Sequence, residues 1–270
     1  MENNFIQQML VDFYRELDLI SLPENAVTFT SASSESLNNL HKNTSPLINI
    51  YPPRVNTIVF FNILRQVAGL IKKTHPNTVS EIVQIESALP VDPADQESFV
   101  AKAFIPGINL LANLQQDLPA DTFGLLLNHT VKLFMRQYVE KVLPLCDLEH
   151  WYKGNCPVCG GRPNFALLEK ESGGRYLYCG FCEIKWRFQR LGCPFCNSNE
   201  SQFITVEGMD KYRLYICEEC RGYIKTIDEK KAGEEPVNLF WEDINTIGLD
   251  LLAVSEGYFN KQLDQPPANL

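Results

Sequence analysis

The sequence predicts an α+β protein, mainly α, in which an N-terminal helical bundle precedes two tandem four-cysteine metal-ribbon modules and a C-terminal helix. Residues 1–150 contain apolar stripes with helical spacing and no paired cysteines. Residues 156–220 contain eight of the nine cysteines, arranged as four Cys-x-x-Cys pairs. We therefore expect a helical domain at 1–150, metal-ribbon modules at 151–190 and 191–232, and a C-terminal helix and tail at 233–270.

The helical part is predicted from apolar residues that recur every three or four positions. The expected helices cover residues 6–20, 34–41, 54–73, 78–89, 94–104 and 121–143, with one or two further turns at 109–116. Thr78 and Asp121 are the expected N-caps of two of these helices. Residues 21–34 are polar and predict a connection, and Pro106-Gly107 predicts a break. The stripes are typical of bundle core and contain no ligand motif.

The cysteine region contains an internal repeat. Cys156 and Cys193 are 37 positions apart, and Cys179 and Cys217 are 38 positions apart. In both units, alternating aromatic and aliphatic residues flank the second cysteine pair, which predicts short strands at 175–178, 184–186, 212–216 and 223–225. A unit of about 37 residues buries too little core to fold alone, so we expect a bound metal to stabilise it.

The cysteine spacing predicts two metal sites. A Cys-x-x-Cys turn aims two sulfurs at one point, and two such turns supply four thiolates to one tetrahedral ion. The two cysteine pairs of a unit are separated by 19 residues in the first unit and by 20 in the second, as expected for such sites. The predicted ligands are Cys156, Cys159, Cys179, Cys182, Cys193, Cys196, Cys217 and Cys220. We favour pairing the turns consecutively, although an interleaved arrangement has the same spacing.

Four thiolates close a tetrahedral site, so neither ion keeps a position for water or substrate. We therefore do not expect metal-assisted hydrolysis at these sites. Zinc would make the sites structural, whereas single iron ions would make them rubredoxin-like, and the spacing does not choose between them. Pro157 and Pro194 suit tight turns. Gly160 suits a positive φ that turns backbone amides toward the sulfurs.

Several nearby residues have two interpretations. Cys146, the odd thiol, is expected to be a small buried residue, with a reactive thiol as the alternative. His150 precedes Cys156 by six positions and is an alternative ligand. Five basic residues interleave with glutamates, which predicts a solvated strand face; they are Lys170, Arg175, Lys185, Arg187 and Arg190.

The charge distribution argues against a nucleic-acid binder. The net charge is −9, and residues 150–231 carry 13 Lys/Arg against 10 Asp/Glu, a net +3. Two four-thiolate sites with divalent ions would bring that to about −1, which leaves no basic surface for phosphates. The N-terminus does not resemble a signal peptide, and the apolar stretch 58–71 is too short and too polar to span a membrane. We expect a cytoplasmic protein, where paired cysteines favour metals over disulfides.

These motifs resemble the FdhE family of formate dehydrogenase accessory proteins. The residues that carry the resemblance are Cys-Pro-Val-Cys-Gly-Gly-Arg-Pro at 156–163, Arg-Tyr-Leu-Tyr-Cys-Gly-Phe-Cys-Glu at 175–183, Cys-Pro-Phe-Cys at 193–196 and Cys-Glu-Glu-Cys-Arg-Gly-Tyr-Ile-Lys at 217–225, with Leu249-Asp250 through Glu256-Gly257-Tyr258 in the tail. The N-terminal half matches in length, helicity and position only.

The resemblance implies a cytoplasmic assembly factor, not an enzyme, that binds the catalytic subunit of a formate dehydrogenase before that subunit folds fully or is exported. It also implies rubredoxin-type iron at the cysteine pairs, and all eight cysteines are present here. The expected partners exclude nucleic acid and membrane insertion, and a homodimer is one option for the oligomeric state. The alternatives are a nucleic-acid-binding zinc ribbon and a rubredoxin-like electron-transfer protein.

Overall fold

The computed structural model describes residues 2–29, 45–105, 108–114 and 117–260. The α+β fold, mainly helical, is confirmed. The chain divides into two compact units, a helical unit (2–29 and 51–144) and a cysteine unit (45–50 and 145–260). The predictions for 34–41, 106–107 and the tail beyond 260 lie outside the described residues.

The described helices are α1 (Glu2–Leu17), α2 (Leu47–Ile50), α3 (Thr57–Thr74), α4 (Val79–Ala88), α5 (Pro93–Ala103), α6 (Ala120–Val142), α7 (Leu239–Asn245) and α8 (Ile247–Ser255). The described strands are β1 (Val27–Phe29), β2 (Pro53–Val55), β3 (Phe165–Leu168), β4 (Arg175–Cys179), β5 (Ile184–Phe188), β6 (Ser201–Ile204), β7 (Tyr212–Cys217) and β8 (Tyr223–Asp228). Single 3₁₀ turns lie at Pro76–Thr78, Leu111–Asn113, Leu143–Leu145 and Glu229–Lys231. Among the described residues, no helix combines the length and apolar character needed to cross a membrane.

Helix α6 is the centre of the helical unit. Its middle turns are buried around most of the circumference, so the predicted single apolar stripe understates its burial. An aromatic ring of α3 packs against α6 and against α5; Phe60 lies 5.4 Å from Phe134 of α6 and 6.3 Å from Phe99 of α5 between ring centroids. Rings at these separations stabilise a core beyond the area that they bury.

The segment predicted as a polar connection contains a strand. Val27 pairs with Val55 in a two-stranded antiparallel ribbon, and the backbone N–H of Val27 also donates to the side chain of Gln137 on α6 at 2.8 Å. Strand β2 delays the start of α3, which begins at Thr57 and not at residue 54 as predicted, because the Asn56 side chain accepts the Val59 N–H and caps the helix.

One of the two predicted N-caps occupies the cap position and the other does not. Thr78 is the N-cap residue of α4, but its hydroxyl donates to the His75 carbonyl at 2.8 Å and makes no capping bond to the helix. Asp121 lies inside the first turn of α6, which Pro119 precedes. A carboxylate there still interacts favourably with the positive end of the helix dipole. Asp92 caps α5 through its side chain, which accepts from two amides at the start of that helix.

The two cysteine repeats share one six-stranded sheet with the order β5-β4-β3-β8-β7-β6. Neighbouring strands are antiparallel except at the centre, where β3 and β8 are parallel and Phe165 pairs with Lys225. The strands predicted around each second cysteine pair are confirmed, whereas β3 and β6 were not predicted. Because β3 and β8 each follow a cysteine turn and run in the same direction, both pairs of turns lie at one end of the sheet.

The C-terminal segment forms two helices, α7 and α8, where one was predicted. The break is at Thr246, whose hydroxyl donates to the Glu242 carbonyl at 2.7 Å. Leu239 of α7 and Leu249 of α8 bury their side chains in a cluster with sheet residues that include Phe165 and Ile227. The two helices therefore cover one face of the sheet.

Candidate metal centres

The four Cys-x-x-Cys turns share one backbone feature. The residue after each second cysteine has a positive φ, which is 77° at Gly160, 58° at Glu183, 60° at Asn197 and 54° at Arg221. The last three are the positive-φ non-glycine residues of the described chain. Left-handed backbone costs an L-residue about 1–2 kcal/mol, so unfavourable conformations are concentrated at these turns.

Backbone amides in three of the turns donate to the sulfurs, as predicted for the turn that contains Gly160. The N–H of Gly161 lies 3.3 Å from Cys159 Sγ, and the N–H of Cys182 lies 3.4 Å from Cys179 Sγ. In the second unit the Phe195 N–H lies 3.4 Å from Cys193 Sγ. Donors at this position stabilise thiolate and tune any bound metal.

The eight thiols form two clusters, each drawn from consecutive turns. Cys156, Cys159, Cys179 and Cys182 make the first centre, and Cys193, Cys196, Cys217 and Cys220 make the second. Within each cluster the sulfurs all lie within 4.8 Å of one another. The structure therefore has the consecutive arrangement of turns and not the interleaved one.

The sulfur spacing fits a tetrahedral ion. Cys159 and Cys179 Sγ are 3.7 Å apart, and Cys196 and Cys217 Sγ are 3.6 Å apart. Four sulfurs at about 2.3 Å from a central ion would be about 3.8 Å from each other. A disulfide would need about 2.05 Å, and the cysteines are free. Both clusters could hold a metal ion with four thiolate ligands.

The two centres differ in exposure. All four cysteines of the first centre are buried, whereas Cys196 in the second is exposed and Cys220 is partly exposed. Burial raises the pKa of Cys156 and Cys182 well above the usual thiol value. Hydrogen bonds from the other three thiols hold the pKa of Cys179 well below it. An ion that enters the first centre must therefore displace protons from buried thiols.

Backbone hydrogen bonds from α2 hold the first turn in place. The Leu47 and Ile48 amides at the start of α2 donate to the carbonyls of Pro157 and Val158 at 2.8 and 2.9 Å. A Cβ at Gly160 would lie 3.0 Å from the Pro46 side chain. The positive φ favours glycine there, and the close approach of Pro46 leaves little room for a side chain.

Asn164 supports the second turn of the first centre, a role that the sequence analysis missed. Its side-chain oxygen accepts the Gly180 N–H, and its side-chain nitrogen donates to Asp243 on α7. Asp243 and Asp250 both lie within 2.7 Å of Lys225 Nζ. The one available signal was an asparagine between Pro163 and a strand, which is common in loops that connect elements.

The prediction of a solvated basic face is wrong for Arg175, although Lys170, Lys185, Arg187 and Arg190 are exposed. Arg175 is 1% exposed, its Nη1 donates to the Gly192 carbonyl at 2.9 Å, and its guanidinium lies 4.9 Å from the Tyr215 ring. Burial lowers its pKa to about 10, so it stays charged at neutral pH. The positive charge therefore lies beside the start of the second centre.

Two residues weighed as alternatives lie outside both clusters. His150 is exposed and does not join either group of cysteines. Cys146 is half-buried, and burial raises the pKa of its thiol. It is thus less buried than the expected core residue and less nucleophilic than an ordinary exposed thiol.

Comparisons with known proteins agree with this geometry. Residues 155–190 match the family model described as FdhE, central domain. The chain is 36% identical over 141 residues to "Protein FdhE homolog" of Aquifex aeolicus, covering 47% of this chain and 49% of that protein. It is 33% identical over 113 residues to the protein of the same name from Stutzerimonas stutzeri, covering 40% of this chain and 36% of that protein. These matches span half or less of the length of the relatives.

A solved structure extends the comparison to almost the whole fold. "The crystal structure of the FdhE protein from Pseudomonas aeruginosa" matches with a TM-score of 0.61 at 17% identity, covering 94% of this chain and 85% of that one. At that identity the match shows a common fold. The chain is thus similar to FdhE proteins in its cysteine region, through the family model and the curated relatives, and in its fold, through the solved structure.

Proposed function

We propose that this chain is an accessory protein in the maturation of formate dehydrogenase and binds the catalytic subunit of that enzyme in the cytoplasm. The observation that carries the proposal is the presence of two four-cysteine clusters in a chain that is similar to FdhE proteins. The sheet that bears these clusters and the helices that cover one of its faces supply a rigid binding surface. The helical unit supplies a second surface for the partner.

The eight clustered cysteines would bind two ions, one in each of the modules at 151–190 and 191–232. Zinc and single iron ions both accept four thiolates, and rubredoxin-type iron is the ion that the family resemblance favours. A bound ion supplies a rigid four-way crosslink between two turns, and iron would supply a one-electron couple as well. Backbone amides directed at the sulfurs would stabilise the thiolates.

A non-enzymatic role follows from the ligand count. When all four positions around an ion are thiolates, no position remains for activating water or substrate. Among the described residues, the two cysteine clusters are the groups of three or more side chains suited to hold a metal. We therefore assign the clusters to shape and partner binding and not to bond making.

Electron transfer is a second candidate function, favoured by the exposure of Cys196 in the second centre. An exposed ligand shortens the path for an electron from a partner. Iron in that centre with fast, reversible reduction by a partner reductase would support this candidate. A centre that binds only zinc would exclude it.

Anaerobic affinity purification from cells that contain the chain and formate dehydrogenase tests the proposal. We expect the catalytic subunit to co-purify and the double variant Cys156→Ser/Cys159→Ser to lose it. The matched control is Cys146→Ser, which removes a thiol outside the clusters. Formate dehydrogenase activity in the same cells should fall with the double variant and not with the control. Normal dehydrogenase activity in cells that lack the chain would contradict the proposal.

A further inference from the structure

The two cysteine repeats place equivalent strands in different surroundings. The cysteine positions correspond at offsets of 37 and 38 residues, so β3 is equivalent to β6, β4 to β7 and β5 to β8. The central pairing of the sheet joins β3 of the first repeat to β8 of the second. The repeats therefore associate head to tail, and the outer edge of β6 corresponds to the edge of β3 that β8 covers.

The difference in burial follows from this arrangement. All four residues of β3 are buried, whereas in β6 the outer residues are partly buried and the middle two are exposed. Among the described residues, no strand pairs with the outer edge of β6. An unpaired edge presents free backbone N–H and C=O groups, which is the usual template for strand addition.

The opposite edge of the sheet is protected. Strand β5 alternates buried residues with Lys185 and Arg187, both exposed. Charged side chains on an edge strand discourage pairing with another chain. Strand β6 reads Ser-Gln-Phe-Ile and has no charged residue. Of the two edges, β6 is therefore the one open to a partner.

Phe203 gives the β6 edge an apolar feature. Its side chain is 49% exposed, and its ring lies 5.4 Å from Tyr215 and 4.9 Å from the Arg213 guanidinium. Those contacts hold the ring in one place on the sheet. Ile204 is partly buried beside a core cluster that includes Leu214. A strand added here would cover both side chains.

The covered edge of β3 supplies a template for such a strand. Phe203 pairs with Tyr215 as Ala166 pairs with Leu177, so Phe203 is equivalent to Ala166. Ala166 in turn lies opposite Thr226 of the parallel strand β8. An added strand with the register of β8 would run parallel to β6. It would place a β-branched residue, as Thr226 is, beside Phe203 and an aliphatic residue, as Ile227 is, beside Ile204.

The flanks of β6 are acidic. Glu200 precedes the strand and Glu207 follows it, both residues are exposed, and neither carboxylate has an ion-pair partner within the described part of the chain. A partner strand with basic residues at its two ends would complement them. Such charges contribute mainly to selectivity and association rate.

We propose that the outer edge of β6 binds an extended, basic-flanked segment of the catalytic subunit as a seventh, parallel strand. This inference rests on the proposed function, because the occupant is a segment of the proposed partner. A second copy of this chain is a poorer occupant. Two β6 edges related by a two-fold axis would pair antiparallel and would not reproduce the parallel pairing of β3 with β8. A β6-to-β5 contact would meet the charged β5 edge and leave another β6 exposed.

The test compares two variants with the same charge change. Phe203→Lys places a charge on the β6 edge, and Leu191→Lys is the control because Leu191 is 75% exposed and lies outside every strand. The affinity of each purified, metal-loaded chain for the catalytic subunit is measured. We expect Phe203→Lys to weaken binding about tenfold or more, a loss of about 1.4 kcal/mol. We expect Leu191→Lys to leave it unchanged.

A crosslink gives a second measurement that does not depend on the stability of a variant. A benzophenone analogue of phenylalanine at position 203 should join, on illumination, to one extended segment of the catalytic subunit, identified by mass spectrometry. Joining to a second copy of this chain would overturn the inference. Equal binding by both variants would also overturn it and leave the proposed function intact, whereas failure of the unaltered chain to bind would remove the proposed function itself.

Discussion

The ammonium group of Lys225 lies 2.6 Å from the Asp250 carboxylate, although Lys225 is 2% exposed. Asp243 accepts from the same ammonium at 2.7 Å and also receives the Asn164 side chain. Asn164 in turn accepts the Gly180 N–H between two ligands of the first centre. This network connects the first centre through β8 to both C-terminal helices.

Replacing Lys225 with methionine should destabilise the cysteine unit by about 3 kcal/mol or more, because it leaves two carboxylates partly buried without a counter-charge. The control is Lys211→Met, since Lys211 is 36% exposed and lies 3.4 Å from Glu242. That change should cost less than about 1 kcal/mol. Chemical denaturation followed by tryptophan fluorescence reports on this unit, which contains all three tryptophans. Equal losses in both variants would refute the role given to Lys225.

The two centres should release their ions at different rates. The second centre exposes Cys196, so a chelator can attack it directly, whereas every ligand of the first centre is buried. We expect two phases that differ about tenfold or more in rate, equivalent to about 1.4 kcal/mol in barrier. Variants assign the phases: Cys156→Ser/Cys159→Ser should keep the fast phase, and Cys193→Ser/Cys196→Ser the slow one. The reverse assignment would show that burial does not control release.

Gly180→Ala should weaken metal binding at the first centre. A Cβ at Gly180 would lie 2.7 Å from the Asn164 side-chain nitrogen, so Asn164 must move away from the turn. Loss of such a support around a metal ligand typically lowers affinity about 10- to 100-fold. Gly248→Ala in α8 is the control, since nothing lies within 4 Å of its Cβ position, and it should stabilise by about 0.5–1 kcal/mol. Competition with a metal indicator measures both affinities, and an unchanged affinity in Gly180→Ala would contradict the role of Asn164.

His129 should make the helical unit sensitive to acid. Burial, with help from Lys132, His75 and Arg136, lowers its pKa from 6.5 to about 4, and its Nδ1 has no hydrogen-bond partner among the described residues. As the pH falls, His129 binds a proton in the unfolded chain before it does so in the folded chain. The free energy of unfolding therefore keeps its full value above pH 6.5 and decreases as the pH falls toward 4. The loss is about 3 kcal/mol.

Hydrogen exchange of the α6 amides at pH 7 and pH 4.5 tests this expectation. The loss of protection of these amides between pH 7 and pH 4.5 should be smaller in His129→Gln, because glutamine does not titrate in this range. An identical difference in the variant would show that other groups cause the acid sensitivity.

The sequence was most informative where a local pattern carries the structure. Cysteine spacing and alternating residues identified the clusters and the strands next to each second pair. Strand β3 reads Phe-Ala-Leu-Leu and is buried on both faces, so it lacks the alternation that marks a strand. Strand β6 has four residues and no apolar alternation. Both were therefore missed.

Contacts distant in sequence could not be predicted locally. The parallel pairing of β3 with β8 joins residues 60 positions apart and depends on both repeats being folded. Arg175 looked like its exposed basic neighbours, because nothing in positions 170–190 encodes the approach of Tyr215 and Gly192. The network around Lys225 likewise combines a loop, a strand and two helices.

The most direct test of the central claim is the metal stoichiometry of the anaerobically purified chain, measured by elemental analysis together with X-ray absorption. We expect two ions per chain, each with four sulfur ligands at about 2.3 Å, and one ion after Cys156→Ser/Cys159→Ser or after Cys193→Ser/Cys196→Ser. A chain that binds no metal, or that keeps both ions when either pair is replaced, would contradict the account.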